Sequence, residues 1–159
     1  MSLHKEVQAA LSGWPPIDSG DRNLDVQAAG QRVYCRVVAL DRIACAFLSL
    51  RLEADSLQGL SSDQLKSVAQ QLSSRITYLL DPISPIEVDA EGCTVQMRSN
   101  PPHKEDGRTT YYELLVSRAG RITLERYERI SKAERRTIPA EVTREVLLRL
   151  INDFSAAAG

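Results

Sequence analysis

The fold is decided by the stretch from Thr109 to Phe154, which has the sequence TTYYELLVSRAGRITLERYERISKAERRTIPAEVTREVLLRLINDF. Two runs within it, 110–118 and 122–130, are rich in β-branched, aliphatic and aromatic residues and flank the pair Ala119-Gly120. Such runs on either side of a short turn that contains glycine are typical of a β-hairpin. The stretch therefore predicts two antiparallel strands joined by a tight turn.

The end of the same stretch predicts a helix. Pro139 suits a first helical turn, because proline lacks the amide hydrogen that this turn leaves unpaired. Apolar residues then recur at helical spacing and mark one buried face: Leu147, Leu150, Ile151 and Phe154. We expect a C-terminal helix that begins at Pro139.

A longer helix is predicted from Ser62 to Leu80. Ser61 and Gln64 have the spacing of a capping box, in which each side chain pairs with a backbone amide of the first turn. Asp81-Pro82 is expected to end the helix, because proline cannot continue the hydrogen-bond ladder. A single apolar stripe runs along it: Leu65, Val68, Ala69, Leu72, Ile76, Leu79 and Leu80.

Four further strands are predicted upstream of the hairpin. The strand predicted at 43–52 is almost wholly apolar between Ile43 and Leu50, which indicates burial on both faces or a central position in the sheet. Glu91-Gly92 is a typical tight-turn pair between the last two. The predicted strands span 33–38, 43–52, 86–89 and 94–98.

Together these elements predict an α+β domain, with a mostly antiparallel sheet of about six strands and two helices, one long and central and one C-terminal, packed on one side. The predicted order is α-β-β-α-β-β-β-β-α, since helical spacing also marks residues 3–12 and composition marks 18–23 as a loop. We divide the chain into an N-terminal helix and flexible arm, 1–30, and a single domain, 31–159. This element order, without any shared motif, is similar to that of the small α+β domains of bacterial secretion chaperones.

Composition and cysteine placement predict a soluble, cytoplasmic protein. The chain has 159 residues, a formal net charge of −1 and three cysteines without CxxC spacing. If the even positions from 48 to 52 face the core, Cys45 points to the opposite face, whereas Cys35 points inward. We therefore expect free, mostly buried thiols in a reducing compartment.

The sequence contains no constellation that specifies a reaction or a cofactor. His4 and His103 have no second metal ligand at helical spacing, so no metal site is predicted. Neither a nucleophile elbow nor a glycine-rich phosphate loop occurs. A catalytic carboxylate or cysteine site assembled from distant residues is left open, but a non-enzymatic protein is favoured.

Positive charge is concentrated toward the C-terminus. Between Arg118 and Arg149 the chain has nine cationic and five acidic residues, many of them alternating in sign. Alternation favours ion pairs within the protein, whereas the surplus favours an acidic protein partner or nucleic acid. Arginine suits such contacts, because its planar fork binds carboxylates and phosphates with two hydrogen bonds.

A sheet that is partly apolar on its second face needs a cover, which could be residues 3–14, a second copy of the chain or a client. We therefore predict a protein-binding module, chaperone-like or an adaptor, whose partner is another protein or a homodimer mate. It acts through a sheet face or the basic hairpin-helix region. The alternatives are a nucleic-acid-binding domain and an enzyme; no membrane, metal or cofactor is expected. The predicted binding residues are two aromatic anchors and four guanidinium groups: Tyr112, Tyr127, Arg126, Arg129, Arg135 and Arg136.

Overall fold

The computed structural model describes residues 2–79, 82–89, 93–99, 102–131 and 134–159. Within them it has three helices: α1 (Leu3–Ser12), α2 (Ser62–Arg75) and α3 (Arg144–Ala158). Ten strands belong to one sheet: β1 (Arg22–Ala28), β2 (Gln31–Leu40), β3 (Ala44–Gln58), β4 (Ile83–Asp89), β5 (Thr94–Ser99), β6 (His103–Glu105), β7 (Arg108–Ser117), β8 (Ala119–Ile130), β9 (Arg136–Ile138) and β10 (Ala140–Thr143).

The sheet is antiparallel throughout its described pairs. Seven strands follow one another in the order β1-β2-β3-β8-β7-β5-β4, while β10 pairs with β3, β6 with β7 and β9 with β8. The α+β class and the antiparallel sheet are confirmed. The predicted strand number and element order were wrong, because β1, β6, β9 and β10 were not expected. Three of these strands have only three or four residues, too few for an alternating pattern to stand out.

Two predicted boundaries need correction. The run predicted as a loop, 18–23, overlaps β1, which begins at Arg22. The last helix begins at Arg144 rather than Pro139, because Thr143 accepts a hydrogen bond from the amide of Val146 and so caps its first turn. Pro139 instead separates the two short strands β9 and β10.

The predicted capping box is present at the start of α2. The Ser61 hydroxyl accepts from the Gln64 amide at 3.2 Å, and the Gln64 side chain accepts from the Ser61 amide at 2.9 Å. The helix ends at Arg75, five residues earlier than predicted. The predicted stop at Asp81 and the turn at Glu91-Gly92 lie outside the described residues.

All three helices pack on the same face of the sheet. Their buried residues belong to one cluster with the inward side chains of the central strands. Both phenylalanines, Phe47 and Phe154, are fully buried there, and aliphatic side chains fill most of the rest. Burial of this apolar surface is the main favourable contribution to folding.

A pair of β-bulges changes which residues face the core. Between β2 and β3 the register passes from Arg36 opposite Ser49 to Val37 opposite Phe47, so Leu48 is an extra residue in β3. One extra residue reverses the alternation of side chains beyond it. Cys45 is consequently buried in the core, and the expectation that it points to the other face was wrong. All three thiols are free and buried, as predicted.

Strands β3 and β8 pair over only part of their length. They are in register from Leu50 opposite Leu124 to Glu53 opposite Arg121. Beyond this region β3 pairs with β10 and β8 pairs with β9, so the segment from Arg136 to Thr143 separates the two strands. We call this end of the sheet the splayed end, and the apolar groove described below lies there.

The β7–β8 hairpin requires glycine at its turn. Gly120 has φ of +94°, and a Cβ there would lie 2.8 Å from Cγ of Gln58 and 3.1 Å from the carbonyl oxygen of Ala54. Gly59 also has a positive φ, +74°, but a Cβ there would have no atom within 4 Å. Substitutions at these two positions therefore distinguish the cost of backbone strain from the cost of steric crowding.

We expect both Gly120→Ala and Gly59→Ala to lower the free energy of unfolding by about 1–2 kcal/mol through left-handed backbone strain. At Gly120 the crowding should add about 1–3 kcal/mol more. Urea unfolding of the two variants measures the difference. Equal losses at the two sites would contradict the close packing of the hairpin turn against β3.

Candidate binding surfaces on the open face of the sheet

The face of the sheet opposite the helices, called the open face below, has polar and aromatic side chains. Successive residues of a strand point to opposite faces, so register partners identify its members. It is formed chiefly by one set of residues on β2, β3, β7 and β8: Tyr34, Ser49, Arg51, Glu53, Tyr111, Glu113, Leu115, Thr123, Glu125 and Tyr127.

Arginines cover the tyrosine rings of this face. The guanidinium carbons of Arg32 and Arg51 lie 4.6 Å and 4.5 Å from the ring centroid of Tyr34. Arg135 stacks on Tyr127 at 3.9 Å. These distances fit cation–π attraction, which holds the cations and rings together.

The carboxylates of the open face bind neighbouring side chains. Asp25 accepts two hydrogen bonds from Arg32, at 2.8 Å and 2.7 Å, and these lower the pKa of its carboxyl group. Glu113 bonds Arg135 and lies 3.6 Å from the Nε of Arg98. Much of the charge on this face is therefore neutralised within the protein, as the alternating sequence had indicated.

Glu125 accepts from the Tyr127 hydroxyl at 2.7 Å and from the Ser49 hydroxyl at 3.3 Å. Partial burial, together with the bond to Glu125, raises the pKa of Tyr127 to about 12. Tyr127 therefore remains neutral and half-buried, with its hydroxyl group engaged.

The predicted anchors Tyr112 and Tyr127 lie on opposite faces. Tyr127 is opposite Tyr111 on the open face, with ring centroids 5.9 Å apart. Tyr112 is only 4% exposed and belongs to the core, where burial raises the pKa of its hydroxyl group. Arg126 lies over the Tyr112 ring at 5.7 Å, on the helix side.

The other predicted arginines differ in their surroundings. Arg135 bonds Glu113 and stacks on Tyr127, and Arg136 bonds Glu128. Arg129 is exposed and has no ion-pair partner among the described residues. The structure thus brings Arg135 and Tyr127 together and leaves Arg129 accessible.

Arg136 shares a buried carboxylate with a second arginine. Glu128 is 3% exposed; one of its oxygens lies 2.8 Å from Arg136 and the other 2.9 Å from Arg108. A buried carboxylate needs a partner, because removal from water penalises its charged form. Either arginine supplies one cation, so the two should compensate for each other.

We expect Arg108→Gln or Arg136→Gln alone to lower the free energy of unfolding by about 1 kcal/mol or less. The double variant should lose about 3 kcal/mol, because it leaves Glu128 buried without a cation. Urea unfolding at neutral pH measures this coupling. Arg36→Gln, which breaks an exposed pair with Asp21, is the control. Strictly additive losses would contradict the shared role.

An apolar groove crosses the open face at the splayed end, with a volume of about 690 Å³. Its floor lies over β2, β3 and β10, where Ala39 stands opposite Ala46 and Ala46 opposite Glu141. Small side chains at these positions leave the strands uncovered. Ile17, whose backbone pairs with Leu40, and Pro16 form one wall. Ile43, beside the groove, is 73% exposed.

A tight turn shapes the end of this groove. The Asp41 carboxylate accepts from the amides of Ala44 and Ile43 at 2.7 Å and 2.8 Å. These two bonds lower the pKa of Asp41 below its usual 3.8. Arg144 bonds the Asp41 carbonyl oxygen and that of Leu11, which connects the turn to α1 and α3.

Because the pKa of Asp41 is lower in the folded state, its ionisation stabilises the fold above the unfolded pKa. This contribution is lost as the pH falls through the folded pKa. Asp41→Asn keeps an acceptor oxygen but removes the charge, so it should reduce stability at pH 7, with the difference from wild type shrinking below pH of about 4.

Urea unfolding across this pH range measures the difference, and Asp18→Asn, outside the turn, is the control. A constant difference between wild type and Asp41→Asn at every pH would contradict the role of the charge.

Comparison with protein-family models gives no match for this chain, and searches of curated proteins and of solved structures give none either. Among the described residues, no three His, Cys, Asp or Glu side chains group as metal ligands. None of the helices in the described ranges is both long and apolar enough to cross a membrane. The surfaces described above are therefore the features of the molecule that bear on its function.

The groove was missed in the sequence. The segment Ala44-Cys45-Ala46 belongs to the apolar run for which the sequence predicts burial on both faces or a central position in the sheet. The side chains at its alternate positions are small, and small side chains on one face of a strand indicate a depression in that face of the sheet. That signal becomes interpretable only with β10 in place, since the neighbouring strand sets the width of the groove.

Proposed function

We propose that this protein is a non-enzymatic protein-binding module, chaperone-like or an adaptor, that acts through the open face of its sheet. The observation that carries the proposal is the apolar groove at the splayed end. The partner is another protein or a second copy of the chain. Its apolar side chains would occupy the groove, whose charged lining residues are Asp18, Asp41 and Glu141. Arginines elsewhere on the open face would set orientation.

The dimensions and lining of the groove support this proposal. A volume of about 690 Å³ lies within the range of concave ligand pockets, which is room enough for apolar side chains of a partner. Ile43, next in sequence to the lining residue Ala44, is a large exposed apolar side chain that a partner extending beyond the groove would cover. Burying such a side chain contributes about 1.5–3 kcal/mol. Burial of the apolar lining therefore supplies a favourable contribution to the free energy of binding that a mainly polar face lacks.

The predicted residues take different roles in this proposal. Tyr127, Arg129 and Arg135 lie on the open face and can contact an acidic region of the partner. Tyr112 and Arg136 are assigned to the fold, because one is buried and the other binds Glu128. Arg126 lies on the helix side, over Tyr112.

Nucleic-acid binding has less support from the same contacts. Single-strand binders stack bases on free aromatic faces. Two guanidinium groups already stack near Tyr34 on the open face, and one stacks on Tyr127. The stacked arginines thus occupy the surface that bases would need.

The test is a tagged pull-down from lysate of the native host, with and without nuclease, read by mass spectrometry. Ala44 is exposed at the groove, so Ala44→Arg should fill it without disturbing the core. Ala156→Arg, at an exposed position on α3, makes the same change away from the groove. We expect wild type and Ala156→Arg to retain the same nuclease-resistant partner, and Ala44→Arg to lose it at least tenfold.

If the partner is a second copy of the chain, sedimentation measures the oligomeric state. Wild type should then be dimeric and Ala44→Arg monomeric. Equal capture by Ala44→Arg and wild type, without a change in oligomeric state, would remove the groove from the binding surface. Capture that disappears with nuclease would instead favour the nucleic-acid alternative.

A further inference from the structure

A second concave site lies on the open face where β5 and β6 both pair with β7. Arg98 stands opposite Glu113 on one side of the site, and Lys104 stands opposite Thr109 on the other. The space between them has a volume of about 350 Å³ and lies over the ring of Tyr111. It shares no lining residue with the groove, although its Arg129 is also one of the open-face residues assigned above to partner contact.

Strand register aims the cations of this site in one direction. Lys104, Thr109 and Arg129 form one row across β6, β7 and β8, because each stands opposite the next. Residues in such a row share a face of the sheet. Tyr111 is two residues from Thr109 on β7 and therefore points to the same face. The row places a lysine and an arginine on either side of a threonine hydroxyl.

The charge of the site is unbalanced. Three cations line it, Arg98, Lys104 and Arg129, and no carboxylate among the described lining residues accompanies them. Glu113 lies 3.6 Å from Arg98, but it also bonds Arg135, so one carboxylate serves two guanidinium groups. Within the described chain, neither Lys104 nor Arg129 has an ion-pair partner.

Arg98 is only partly engaged by the protein. Its Nε is shielded from solvent and lies 3.6 Å from Glu113, beyond hydrogen-bond distance. The side chain as a whole is 39% exposed, so its guanidinium group can meet an anion in the pocket. The Arg98 guanidinium also lies 5.0 Å from the ring centroid of Tyr111, which fixes it over the apolar floor.

We infer that this pocket binds a phosphate monoester. A phosphate dianion offers three acceptor oxygens and matches the fork of arginine. A volume of about 350 Å³ exceeds what a bare phosphate requires, so the group that bears the phosphate can lie against Tyr111 and Pro102. The phosphate occupies the space between Arg98, Lys104 and Arg129.

Titration of the protein with phenyl phosphate at low salt, monitored by isothermal titration calorimetry, tests the inference. Phenol is the matched probe without phosphate, and we expect it to bind at least tenfold more weakly. Lys104→Gln and Arg129→Gln should each weaken phenyl phosphate binding about tenfold, as expected for loss of one charge-assisted hydrogen bond. Both side chains are exposed, so neither variant should disturb folding, which circular dichroism checks.

Arg42→Gln is the control, because it removes an exposed cation at the β2–β3 turn, away from the pocket. It should bind phenyl phosphate as wild type does. Unchanged affinity in the Lys104→Gln/Arg129→Gln double variant would overturn the site. Equal binding of phenol and phenyl phosphate, or no heat with either, would overturn it as well.

Two carriers of the same chemistry are then compared: uridine 5′-monophosphate and a short peptide that contains phosphotyrosine. Binding of the nucleotide with loss in the double variant identifies a small-molecule site. Binding of the phosphopeptide with the same loss identifies a phosphorylated side chain as the source. If neither binds more tightly than its dephosphorylated form, the phosphate assignment is wrong.

Discussion

Burial of one face of a wide antiparallel sheet against three helices is the constraint on which the rest of this structure depends. All the described helices lie on one side, so the strands must alternate between apolar side chains for the core and polar ones for the open face. The polar set includes many charges in close register. The open face is therefore stabilised by its own contacts, with arginines between carboxylates and tyrosine rings.

The alternation of side chains along the strands also explains which features of the fold could be predicted from the sequence. The hairpin around Gly120 and the capping box at Ser61 depend on residues close in the chain, and both could be predicted. The extra residue Leu48 could not, because a bulge adds no distinctive residue type to an apolar run. It reverses the facing of everything before it in β3, and Cys45 was misplaced for that reason.

Prediction of the binding residues was limited in the same way, because it depends on strand register. Tyr112 and Tyr127 were paired by composition, but register places one in the core and the other on the open face. The pairing of Arg135 with Glu113 joins residues 22 positions apart, one on β7 and the other just before β9. Sign alternation indicated that ion pairs would form. Only the register identifies which arginines remain accessible, and Arg129 is one of them.

Self-pairing of the open face is incomplete at the splayed end. Where β3 and β8 are paired directly, Arg51 and Arg121 both approach Glu53. Where β9 and β10 separate these strands, alanines of β2 and β3 leave one uncovered surface, and Lys104 and Arg129 leave an unbalanced charge near the ends of β7 and β8. The separation of two central strands thus leaves an apolar surface. The cationic surface lies on the same face, on β5 to β8, where most other charges are paired within the protein. Recognition is expected at this end because ligands there replace contacts that the protein does not make itself.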